Sequence, residues 1–263
     1  MRLDSQHFRS FSLHSNSRYH ILLPTRYESS TTLYPVLYLL HGLFGQCDNW
    51  LEFTNIAALA TELDLVVVMP DGSDSWYCDS ATVASEKYES FVLDEFIPHI
   101  ERKYRVNGDR QSRAIAGLSM GGYGAFKFAA RRPDLFEFAA SFSGAFDAPK
   151  MSDEAPGFDW QNLRPSILKA FGEARSTNRD RNDLHQIFLR MPADSIQGLP
   201  FFYFDCGLGD GFLAANLRLE QLLKSRGISH RFSALQGGHD WEYWGSRLPT
   251  LFSLAKERLW SPS

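Results

Sequence analysis

The sequence predicts an α/β protein, with a mostly parallel, doubly wound sheet and a partly helical insertion. Six short runs rich in β-branched and aromatic residues recur along the 263 residues, most of them apolar without interruption. Helix-like stretches separate them, the alternation that βαβ units with right-handed crossovers produce. Near-continuous apolar runs also imply strands covered on both faces.

Taken in order, the polar alternation of His7–Leu22 predicts an antiparallel hairpin on the sheet edge. Tyr34–Leu40 (YPVLYLL) is the first buried strand, followed by a helix over Ile56–Glu62 and the strand Leu65–Met69 (LVVVM). A long helix is predicted over Glu86–Tyr104, then the strand Arg113–Ala116, the helix Gly122–Arg131 and the strand Phe138–Phe142. From Phe146 to Leu199 the rhythm breaks into prolines, charges and short helical patterns at Ser166–Phe171 and Asp183–Leu189. That stretch is too long for a plain loop and is expected to be a partly helical insertion roofing a pocket. The strand Pro200–Asp205, the helix Ala214–Arg226, the strand His230–Leu235 and a last helix over Arg247–Leu259 complete the pattern. No repeat, low-complexity run or linker divides the chain, so residues 1–263 read as one domain with an insertion at about 146–199.

Composition bounds the function. Hydrophobic residues are 44% and charged residues 22%, which excludes disorder, collagen and coiled coil. A net charge of −4, without a basic block, argues against nucleic acid as partner. The densest basic cluster, Arg175, Arg179 and Arg181, is broken up by Asp180 and Asp183 and reads as a solvated face. Three cysteines, Cys47, Cys78 and Cys206, lack CxxC or zinc-ligand spacing, and no G-x-x-x-x-G-K-(S/T), strand-following G-x-G-x-x-G or H-E-x-x-H occurs, so neither metal nor nucleotide cofactor is expected. With no signal peptide in MRLDSQHFRS and no apolar run near the ~18 residues of a membrane helix, a cytoplasmic protein without membrane contact is expected. Oligomeric state is not readable. Aromatics reach 14%, enough for a thick core, an apolar pocket, or both.

The sharpest chemical signal is Gly117-Leu118-Ser119-Met120-Gly121. A G-x-S-x-G alone is a weak match, but here a strand runs into it and a helix follows at once, the context of a nucleophile elbow. The glycines leave room for a sharp turn, and the helix start aims backbone N–H groups at developing negative charge. A serine nucleophile needs a base, and the base needs an acid to orient it. In the chain order Ser…Asp/Glu…His the base comes last. His239, in the loop QGGHDW, is preferred over His230, which opens a predicted strand. Among the acids, Asp240 and Glu242 share the histidine's loop and are poorly placed to reach it. Asp210, in the loop CGLGDGF at the C-terminal edge of the sheet, is preferred, with Asp205 at a strand end as the alternative. Met120 is expected to supply one oxyanion N–H and Leu43, in His41-Gly42-Leu43-Phe44-Gly45, the other, with Phe44 the runner-up. His41 reads as structural. Phe44 and Trp76 are candidate substrate-binding residues, and Trp50, Trp76 and Trp241 lie in loops expected beside Ser119. Cys78 and Cys206 fall near the site without an adjacent base.

Six ordered segments, LLHGLFG with CDNW, MPDGSDSWYCDS, YESFVLDEFIPHIERKYRV, AGLSMGGYGAF, DCGLGDGFL and GGHDWEYW, resemble the putative-esterase (esterase D-like) family of α/β-hydrolases. The likeness runs from about residue 33 to 245 and is nearest to the tributyrin-esterase and feruloyl-esterase branch. It implies an α/β-hydrolase fold and a cofactor-free triad, with the family's serine on Ser119, its aspartate on Asp210 and its histidine on His239. It also implies hydrolysis of a small-molecule carboxylic ester, short-chain acyl or aryl/feruloyl in type. S-formylglutathione hydrolases typically carry Ser-Gly-Leu-Thr-Cys where this chain has His41-Gly42-Leu43-Phe44-Gly45, which lowers that thioesterase alternative. A non-catalytic binding protein of the same fold is the rival from another class, and a complete triad argues against it.

Overall fold

The computed structural model describes residues 1–61, 63–151 and 160–260. Eight strands build one sheet: β1 (Arg2–Ser10), β2 (Ser15–Leu23), β3 (Val36–Leu40), β4 (Val66–Pro70), β5 (Arg113–Leu118), β6 (Phe138–Phe142), β7 (Phe201–Gly207) and β8 (His230–Leu235). Their order is β1-β2-β4-β3-β5-β6-β7-β8. Only the β1–β2 and β2–β4 pairings are antiparallel, and the five from β4 through β3 to β8 are parallel. The expected edge hairpin is therefore present, though longer than its polar alternation suggested.

Every residue of β3, β4, β5 and β6 is buried. The pleat sends them alternately into two cores: Val36, Tyr38 and Leu40 to one side, Leu37 and Leu39 to the other. The described residues hold ten α-helices: α1 (Asn49–Phe53), α2 (Ile56–Thr61), α3 (Tyr88–Ser90), α4 (Ile97–Lys103), α5 (Met120–Arg131), α6 (Trp160–Phe171), α7 (Thr177–Asn182), α8 (Leu184–Arg190), α9 (Leu213–Ser225) and α10 (Trp241–Leu259). Side chains of α10, among them Leu248, Leu251 and Ala255, fill one core, while Phe126, Phe128 and Ala129 of α5 fill the other. The accessible surface is 11551 Å², against about 11,700 Å² expected for a monomeric chain of this size.

The departures from expectation have local causes. The predicted helix over Glu86–Tyr104 is found as one run from Tyr88 to Lys103, in which α3 and α4 are joined by a π-helical stretch, Phe91–Phe96. There the Ile97 N–H reaches back five residues to Val92 O, and Pro98 next to it has no N–H to give. The helix α10 begins six residues before the predicted start, because Asp240 caps it by accepting the Tyr243 N–H at 2.8 Å and Pro249 is tolerated inside it. The predicted end of the second helix, Glu62, lies outside the described residues.

Segment 146–199 carries α6, α7 and α8; the part of it at 152–159 lies outside the described residues. The reading of Arg179 as part of a solvated face is overturned. Its guanidinium is buried and donates to four carbonyls, those of Gly172, Glu173, Pro149 and Met151, tying the segment together. Burial holds its pKa below the usual arginine value.

Candidate active site

Ser119 sits at the tip of the turn between β5 and α5 with φ 51° and ψ −115°, a strained conformation for a residue with a side chain. The flanking glycines make the turn possible. A Cβ on Gly117 would lie 2.4 Å from the carbonyl carbon of Gly121. One on Gly121 would lie 2.6 Å from the carbonyl oxygens of Leu40 and His41 at the end of β3. The turn is fixed by the Ser119 N–H donating to Phe142 O at 2.9 Å.

Two later loops close on this serine. His239 Nε2 lies 3.1 Å from Ser119 Oγ, and its Nδ1 lies 2.9 Å from Asp210 Oδ2. The Asp210 side chain is fully buried, whereas His239 keeps a third of its side chain exposed. Burial pushes the Asp210 carboxyl up, but the hydrogen bond and charge of His239, with the Phe212 N–H on Oδ1 at 2.8 Å, hold it below the usual carboxylate range. The loops are tied to one another: the Leu208 N–H donates to Leu235 O and the Gly209 N–H to Gly237 O. The imidazole packs between Phe212 and Trp244, with centroids 5.0 and 4.9 Å away.

Asp205 is engaged elsewhere. The hydroxyls of Tyr203 and Tyr243 donate to its two oxygens at 2.7 and 2.9 Å, and burial raises its pKa to about 6. Asp240 serves as a helix cap and His230 hydrogen-bonds Ile228 O at 2.7 Å. His41 is fully buried with both nitrogens occupied: Nε2 accepts from the Gly72 N–H, so Nδ1 carries the proton and donates to Gly42 O.

The Phe44 N–H donates to Asp74 Oδ1 at 2.6 Å, which removes it as an oxyanion donor. Among the described residues no backbone acceptor is found for Leu43 or Met120 N–H. Asp74 instead pins the loop that presents Leu43, with Phe44 in the left-handed region at φ 61°.

A cavity of about 280 Å³ opens over Ser119. Gly42, Leu43, Phe44 and Asn49 line it together with Trp76, Leu118, Leu163, Phe212, His239, Trp241 and Trp244. Phe44 and Trp76 thus reach the cavity. Trp76 is buried, its indole N–H held by Ser166 Oγ of α6 at 3.0 Å. Trp50 does not line it: buried in α1, it donates to Leu40 O and packs edge-on against Trp241. Sequence reading passed over Phe212, Asn49 and Leu163. Phe212 had a readable signal, two residues beyond Asp210 at the start of a helix.

Cys47, Cys78 and Cys206 are free and buried. A ring nitrogen of His20, Cys47 Sγ and an Asp48 oxygen lie within 4.8 Å of one another, close enough together to share a metal ion. The Arg18 guanidinium, ion-paired with Asp48, already supplies positive charge there.

A family model described as "Putative esterase" matches residues 10–253. The chain belongs to this family. Among curated proteins it is 30% identical to an esterase of Mycobacterium tuberculosis, over 90% of this chain and 56% of that protein. It is 28% identical to an acetyl esterase of Caldicellulosiruptor saccharolyticus, over 82% and 81% of the two chains. The chain thus spans little more than half the length of the mycobacterial relative. Among solved structures, a ferulic acid esterase superposes with a TM-score of 0.83 at 29% identity, covering 98% of both chains. The fold is that of the α/β-hydrolase esterases. No helix among the described residues is long and apolar enough to cross a membrane.

Proposed function

We propose that this family member is a serine carboxylesterase working through an acyl-enzyme. One observation carries the proposal: Ser119, His239 and Asp210 form a hydrogen-bonded relay of 3.1 and 2.9 Å at the mouth of an apolar cavity. His239 Nε2 takes the proton of Ser119 Oγ as the oxygen attacks the ester carbonyl. Asp210 holds Nδ1 protonated and stabilises the imidazolium. The Leu43 and Met120 N–H groups receive the tetrahedral oxyanion, and His239 then protonates the departing alcohol. Water, deprotonated by the same imidazole, hydrolyses the acyl-enzyme.

The cavity supports a short acyl or a flat aryl acid. Its size suits a small group, and its wall is aromatic and aliphatic apart from Asn49, Ser119 and His239. Among the described residues that line it none is Lys or Arg, so these offer the carboxylates of a glutathione thioester no cationic partner. Relatives named acetyl esterase and ferulic acid esterase agree with this choice. The test compares kcat/KM for p-nitrophenyl esters from acetyl to octanoyl, methyl ferulate and S-formylglutathione. Acetyl, butyryl or feruloyl esters are expected to lead, and a lead for S-formylglutathione would overturn the substrate class.

A further inference from the structure

Away from Ser119, α5 carries a fully buried lysine. Lys127 Nζ lies 2.8 Å from Tyr77 O, 2.9 Å from Glu89 Oε2 and 2.9 Å from Cys78 Sγ. The nitrogen–sulfur approach lies inside van der Waals contact. Cys78 is equally buried, and its sulfur lies 3.2 Å from Trp76 O and 3.5 Å from Asn182 Oδ1. Glu89 does not need the lysine as counter-ion, because Arg131 Nη1 already holds both its oxygens at 2.6 Å. Neither Cys78 nor Lys127 belongs to the Ser119–His239–Asp210 relay. Solvent nonetheless comes close: a polar cavity of about 300 Å³ is lined by Glu89, Arg131 and Asn182, and Asn182 Oδ1 touches both Cys78 Sγ and Lys127 Nζ.

We propose that Cys78 and Lys127 form an oxidative modification site, joined through one oxygen atom by dioxygen. The overall step is Cys–SH + Lys–NH3⁺ + O2 → Cys–S–O–NH–Lys + H2O + H⁺. The S–H bond and two N–H bonds break, while S–O and O–N bonds form. Sulfur and nitrogen each give up two electrons. The four electrons reduce dioxygen, one atom becoming the bridge and the other water. The released proton passes to Glu89 and the cavity water. A buried thiol beside no amine, once oxidised to the sulfenic acid, is open to further oxidation to sulfinic and sulfonic acids. Here the amine is already in contact, and burial of both partners disfavours attack by outside thiols or a second cysteine. The bridge would tie the loop carrying Trp76, a wall of the substrate cavity, to the helix that starts after Ser119.

Intact-mass spectrometry tests this on the unaltered protein, held in air-equilibrated buffer without thiol and, in parallel, under nitrogen with dithiothreitol. The air-exposed sample is expected to gain about 14 Da, one oxygen added and two hydrogens lost, and to return on reduction. Trypsin should then fail to cut after Lys127 and release a linked peptide containing Cys78. Cys78→Ser, which keeps an acceptor for Lys127, should show neither change. An unchanged mass in air overturns the proposal, as does oxygen found on Cys78 alone with cleavage after Lys127 intact.

Discussion

Asp210→Asn is the substitution whose effect follows most directly from the geometry. In the native site Asp210 Oδ1 accepts the Phe212 N–H at 2.8 Å and Oδ2 faces His239 Nδ1 at 2.9 Å. Asparagine keeps the first bond only with its carbonyl oxygen on Phe212, which turns Nδ2 towards the imidazole. That NH2 donates to Nδ1, so the ring proton moves to Nε2. Nε2 stands 3.1 Å from Ser119 Oγ and, protonated, cannot accept the hydroxyl proton. Inverting the tautomer of a triad histidine costs about 10⁴-fold in kcat, or some 5 kcal/mol of transition-state stabilisation, with KM little changed. Steady-state hydrolysis of p-nitrophenyl acetate reads this out, with near-ultraviolet circular dichroism verifying the fold. Asp205→Asn, made in parallel, should stay within about threefold of the parent. The reasoning is refuted if Asp205→Asn abolishes turnover while Asp210→Asn retains it.

Two further outcomes are expected. The Asp205 carboxyl has a folded pKa of about 6, raised from 3.8 by burial, so the fold favours its protonated form. Its contribution is fully present below pH 3.8 and lost as pH rises through about 6, some 3 kcal/mol in all. Urea melts at pH 5 and 8 should therefore show Asp205→Asn gaining on the parent at the higher pH, and parallel pH profiles would contradict this. Gly121→Ala drives a Cβ to 2.6 Å from two backbone oxygens of β3 and its following loop. It should cost about 2 kcal/mol or more and lower kcat, since Ser119 rides on the displaced turn. Gly209→Ala, whose nearest neighbour lies 3.3 Å away, should be much milder in thermal unfolding and turnover. Equal losses from the two would show that the clash at Gly121 is not what constrains the elbow.

Much of the architecture was legible because parallel strands buried on both faces are apolar end to end. VLYLL, VVVM and FAASF admit few other readings. The elbow was legible because two glycines at fixed spacing mark where backbone meets backbone. Boundaries governed by a single hydrogen bond were not. Asp240 caps α10 from within a stretch that reads as loop, and Pro249 inside that helix resembles a stop. Arg179 shows the limit of charge patterning, since its carbonyl partners are up to 30 residues away. At the site, Ser119, Asp210 and His239 could be named from loop position, and the structure brings these three together. That Asp74, a residue 30 positions along the chain, takes up the Phe44 N–H had no signal in the local sequence. The aromatics divided differently from expectation: Trp50 packs edge-on against Trp241 without reaching the cavity, while Phe212 lines it.

Covalent labelling by a fluorophosphonate tests the central claim, that Ser119 is an activated nucleophile. Peptide mapping is expected to find a single adduct, on Ser119, forming in step with loss of esterase activity. Ser119→Ala should take up no label and lose hydrolysis of p-nitrophenyl acetate. Labelling of another residue, or full activity in Ser119→Ala, would contradict the account.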